Sequence, residues 1–193
     1  MRHLALPSTL NDTASIDATT RLQRIGTAMC CAVALGGAVI ELIAAWIWLV
    51  PDYVETLIVP RVGLAKSHVT LDGQARLFGF LITSIPLAVL FYLLDRAYRI
   101  FDSFRLGDIF TATTPRYLRQ IGLAALLLAL LNPIASAAIS MVLTIGNPPG
   151  ARMLAITLSS NELILAGFGA LILAIGHVQT IANSIAADNR SII

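Results

Sequence analysis

Long apolar runs separated by short polar interruptions dominate this chain, and the runs have membrane length. A helix needs about 20 mainly apolar residues to cross the hydrocarbon core. Four stretches qualify: Ile25 to Val50, Leu77 to Leu94, Ile121 to Ile145 and Leu163 to Ile181. The pattern predicts an all-α protein, an integral membrane four-helix bundle occupying residues 25–186, between an N-terminal tail (1–24) and a C-terminal tail (187–193). The first twenty residues are polar and lack an apolar centre, so they read as a mostly disordered tail and not as a secretory signal.

The interruptions carry their own signals. After the second run, LLDRAYRIFDSFRLG pairs Asp95 with Arg99 and Asp102 with Arg99 and Arg105 at helical spacing. Ala97, Ile100, Phe101 and Phe104 form its apolar side, which predicts an amphipathic extension of the second helix, ended by Gly107. Thr114 and Pro115 then read as an N-cap and a first helical residue. Between them, Ile109 and Phe110 must tuck under the bundle or meet a partner. Of the two remaining interruptions, Pro51 to Arg76 has an apolar centre, Leu57 to Pro60, suited to capping the bundle or lying on the bilayer. Gly146 to Glu162 contains the turn signal NPPG.

Charge orients the picture. Only 12% of residues are charged and 57% are hydrophobic, about half the charge of an ordinary soluble domain. With the N-terminus inside, nine basic residues fall on the cytoplasmic side and four outside, which predicts cytoplasmic N- and C-termini. Trp46, Trp48 and Tyr53 at the outer end of the first run, and Tyr98 and Tyr117 at inner ends, fit an aromatic belt. The basic residues are scattered singly, so direct nucleic-acid binding is not expected. Membrane lipid is the expected partner of the arginines at the bilayer edge. Cys30 and Cys31 are adjacent and read as small apolar residues, not as a disulfide or an acylation site.

Three polar residues lie inside the runs: Glu41, Asn132 and His177. An ionisable group in a span is costly and marks a candidate pathway or a structural hydrogen bond. Asn132-Pro133 and Pro86 should interrupt helical hydrogen bonding in the third and second helices. Small residues four apart, Ala28, Ala32 and Gly36 on the first helix and Ala166, Ala170 and Ala174 on the fourth, suit close helix approach or a homo-oligomer. Leu22 to Gly26 and Leu118 to Gly122 are alike, a shared need for a basic residue at the headgroups followed by a small one. No Walker, HExxH or GxSxG motif is present, so no enzyme, cofactor or metal centre is expected.

Gly107, Phe110 and Thr111, followed by Leu118 to Gly122 and a polar tail containing Asp188 and Arg190, resemble a bacterial membrane family, domain of unknown function 2975. On these motifs the resemblance extends from Arg21 onward. It implies a bacterial inner-membrane protein without established activity, a partner of a small cytoplasmic helix-turn-helix regulator. The expected contact surface comprises Arg105, Gly107, Asp108, Ile109, Phe110, Thr111, Arg116 and Arg119. The rival expectations are a small oligomeric transporter or channel using Glu41, and an assembly subunit of a larger membrane complex.

Overall fold

A computed structural model describes residues 9–65, 69, 71–105, 113–148 and 150–191. Four long helices run α1 (Thr9–Leu49), α4 (Gly73–Arg105), α5 (Thr114–Thr144) and α6 (Ser160–Ser191). Each is long and apolar enough to cross a membrane, through Gln23–Leu49, Gly73–Ser103, Thr114–Thr144 and Ser160–Ile185. The chain is a multi-pass membrane protein. Each long helix packs chiefly on its neighbour in sequence, α1 on α4, α4 on α5 and α5 on α6, while α1 and α6 share no substantial interface. The four therefore form an open row.

The N-terminal segment, expected to be mostly disordered, is largely helical. Helix α1 begins at Thr9, so residues 9–24 of the expected tail are helical. Adding a residue to a nucleated helix is cheap, whereas starting one is not, so an apolar span can extend well into polar sequence. The amphipathic extension of the second span is present as α4 through Arg105. Helix α5 begins one residue before the expected position: Thr113 is its N-cap, and the Tyr117 amide donates to the Thr113 carbonyl at 3.1 Å. The Thr113 side chain makes no capping hydrogen bond. Pro115 is then harmless within the first turn, where amides have no helical acceptor.

Small residues set the helix spacing, on faces other than those expected. On α1 the small residues that are buried are Gly26, Cys30 and Gly37, with Cys30 Sγ 3.8 Å from the Tyr98 carbonyl, while Ala28 and Ala32 are exposed. Cys31, next to Cys30 in sequence, is exposed too. On α6, Gly169 and Gly176 meet α5, and Ala170 and Ala174 face outward. Between α5 and α6 the contact row follows the glycines because they alone permit backbone to approach backbone: a Cβ on Gly122 would lie 2.7 Å from the Gly169 carbonyl oxygen, whereas Gly37 of α1 makes room for the Phe91 and Leu94 side chains.

The segment after α1 caps the bundle. Two short helical turns, α2 (Pro51–Tyr53) and α3 (Val59–Arg61), flank a π-helical turn, Val54–Ile58. Val54, Val59, Val62 and Leu64 are buried against Trp48, Ala75, Ile139 and Leu143. The Trp48 ring covers Gly79, where a Cβ would collide with it, and its indole N–H donates to Thr83 Oγ1 at 3.2 Å. Arg76 donates to the Leu49 carbonyl at 3.1 Å, satisfying an orphan acceptor at the end of α1. Asp72 does the converse for α4, accepting from the Ala75 amide at 2.8 Å.

The interruption from Gly146 to Glu162 does not loop away from the helices but is bonded to α5. Residues 151–159 form an extended strap lying back along α5. Thr144 Oγ1 accepts from the Met153 amide at 3.2 Å, Ser140 Oγ accepts from the Ala155 amide at 3.0 Å, and Ser136 Oγ meets Thr157 Oγ1 at 2.7 Å. Two extended residues advance about 6.6 Å and four helical residues about 6 Å, so the two periods run in step. Ser140 and Thr144 are fully buried, and their hydroxyls supply the partners that extended backbone lacks away from water. Leu154, Ile156 and Leu158 point outward.

Candidate functional site

The strap determines where α6 starts. Its hydroxyl contacts descend from Thr144 to Ser136, on the order of 12 Å along α5, before α6 begins at Ser160. Glu162 is thereby carried below the cap. Its carboxylate accepts from both the Ser159 amide, at 2.9 Å, and the Ser159 hydroxyl, a capping box that fixes its position. Thr157 reaches across to the cap, its hydroxyl 3.4 Å from the Arg61 carbonyl.

These contacts border a half-open cavity of about 280 Å³ that brings together both interrupted helices. Pro86 of α4 and Asn132 of α5 line it, with Thr83, Ser136, Thr157 and, at its charged rim, Arg61 and Glu162. Pro86 has no N–H to give the Ile82 carbonyl. The Asn132 carboxamide makes no hydrogen bond among the described residues. Arg61 and Glu162 face one cavity without forming an ion pair with each other.

Of the three polar residues singled out in the spans, only Asn132 lies here. Glu41 is half-buried on α1 and does not line this cavity, and His177 is exposed on α6. Sequence reading missed Arg61 and Glu162 as a pair because 101 residues separate them. One signal was available: Ser136, Ser140 and Thr144 recur every four residues on α5, a polar stripe that must be satisfied by something.

A second polar region lies at the opposite end of α5. Arg116 and Arg119 are exposed and line a cleft of about 450 Å³ with Gln120, Thr180 and Asn183. On the neighbouring helix, Arg99 pairs with Asp95 at 3.0 Å, and Arg96 lies over the Tyr92 ring, 4.6 Å from its centre, and 5.9 Å from that of Tyr117. Of the expected contact surface, Gly107, Asp108, Ile109, Phe110 and Thr111 lie outside the described residues, as does the side chain of Arg105.

The family "Protein of unknown function (DUF2975)" matches residues 63–193, the part that contains α4, α5, the strap and α6. The chain belongs to the DUF2975 family. No curated protein and no solved structure matches it. The DUF2975 segment begins well after Arg21, so α1 and the cap turns α2 and α3 stand outside the match. Both interrupted helices, Glu162 and the Arg116–Arg119 pair are DUF2975 positions, whereas Arg61 precedes the segment by two residues.

Proposed function

We propose that this protein is a bacterial inner-membrane protein that works by binding a cytoplasmic partner at the end where α4 turns into α5, with both termini on that side. The observation that supports this reading is the exposed pair Arg116 and Arg119, which lines a basic cleft beside the junction and forms no ion pair among the described residues. Residues 106–112 join two long helices there, so a contact at Gly107, Ile109 or Phe110 would be presented between two stiff supports. A small helix-turn-helix regulator is the partner class that the family resemblance suggests. An acidic face on it would complement Arg116 and Arg119.

The test is in-membrane crosslinking from Ile109 and Phe110, followed by mass spectrometry, in wild type and in Gly107→Val and Phe110→Ala proteins. A soluble protein captured by the wild type and lost from both variants, with membrane insertion unchanged, supports the assignment. Capture of lipid or of the protein's own helices alone makes the junction a plug for the bundle.

A further inference from the structure

The cavity between the cap and the interrupted helices plays no part in partner binding at the arginine end, and its chemistry is specific. Its rim carries one cation, Arg61, and one anion, Glu162, held on separate elements. Its wall includes a carboxamide without a hydrogen-bond partner among the described residues, Asn132, and a helix in which Pro86 leaves the Ile82 carbonyl without its usual donor. Its volume, about 280 Å³, is several times the ~30 Å³ that a water molecule occupies in the liquid.

We propose that this cavity binds a small zwitterion, the anionic group at Arg61 and the ammonium at Glu162, with Asn132 hydrogen-bonded to the connecting part. A singly charged guest engages only one of the two rim charges and gains only one attraction. A guest carrying both charges satisfies both. Guanidinium suits a carboxylate or phosphate through paired N–H donors, while the Glu162 carboxylate, already oriented by Ser159, retains an oxygen for an ammonium. Free zwitterionic solutes and the phosphoethanolamine headgroup of a lipid share this chemistry.

The experiment uses the full chain in nanodiscs made only of phosphatidylglycerol. Phosphoethanolamine and γ-aminobutyrate are titrated by calorimetry, with ammonium chloride and inorganic phosphate as single-charge probes. A parallel sample in phosphatidylethanolamine nanodiscs is examined by native mass spectrometry for retained lipid. Saturable binding of either free zwitterion identifies a soluble guest, and retention of phosphatidylethanolamine without such binding identifies a headgroup. In either case Glu162→Gln and Arg61→Gln should each weaken binding at least tenfold. Gln preserves the capping hydrogen bond from the Ser159 amide, so the first change removes charge without removing the cap. Asn132→Leu, tested beside them, should weaken the same binding with both charges present. The proposal is overturned if neither zwitterion binds and no phosphatidylethanolamine is retained, if the single-charge probes bind as tightly, or if binding is indifferent to both charge changes.

Discussion

Replacing Gly122 by Ala tests whether backbone contact holds α5 to α6. The added methyl would sit 2.7 Å from both the Gly169 carbonyl oxygen and the Leu173 amide nitrogen, and 2.8 Å from Leu173 Cβ. Carbon atoms pack best about 3.5–4.0 Å apart, so the overlap is roughly 0.7 Å or more. Two of the obstructing atoms are backbone, and a rotamer change cannot clear them. The helices must separate locally, and a gap of about 0.5–1 Å forfeits a quarter to a half of each contact it opens. The expected loss is about 1–3 kcal/mol, the usual range for overpacking. Gly36→Ala is the control, since a Cβ there meets nothing within 4 Å; it should be neutral or gain up to about 1 kcal/mol from helix propensity. The assay is reversible SDS unfolding in mixed micelles, read by energy transfer between probes on α5 and α6. Equal effects of the two substitutions would refute the reasoning.

Other perturbations address the cap, the strap and the arginine end. Trp48→Ala should cost about 3–5 kcal/mol and Trp48→Phe only about 1 kcal/mol, the latter for the bond to Thr83; thermal melts in detergent that rank the two alike would contradict the assigned packing. Ser140→Ala leaves the Ala155 amide without its acceptor, at about 1–3 kcal/mol, and hydrogen exchange of the strap should accelerate roughly tenfold or more. Unchanged exchange there would mean that the strap is held by something else. Arg96→Gln removes the cation that lies over Tyr92 within α4 and beside Tyr117 across the helix pair, and through the second contact it should weaken the α4–α5 contact by about 0.5 kcal/mol in the same SDS titration, with no effect expected from Arg152→Gln at the other end.

Helix existence was legible because it depends on local composition: nothing but a helix or a closed barrel can satisfy the backbone of twenty apolar residues in lipid. The polar extension to Arg105 followed from i, i+4 spacing, also a local property. What periodicity could not provide was partnership between distant segments. The apolar centre at Leu57 to Pro60 was compatible with a cap or with the bilayer surface, and only the burial of Val54, Val59 and Val62 against Trp48 and Leu143 decides for the cap. The same holds for the contact face of α6, where alanines and glycines are equally small on paper but only glycine leaves room for a facing backbone. Asn132 and Pro86 were each visible as oddities within a span. Their meeting with Arg61 and Glu162 depends on the strap, and an extended segment running antiparallel to a helix has no familiar sequence period.

That strap makes the number of residues in it consequential. Because the strap bonds α5 through alternate residues, Met153 and Ala155 by their amides and Thr157 by its hydroxyl, inserting or deleting one residue would bring the intervening Leu154, Ile156 and Leu158 to the α5 hydroxyls in their place. A change of two residues keeps every side chain on its face and shifts the start of α6 by one hydroxyl step, about 6 Å along α5. Length variation between Thr144 and Ser160 in relatives of this chain is therefore expected to come in pairs, and each pair would reset the depth of the carboxylate at Glu162.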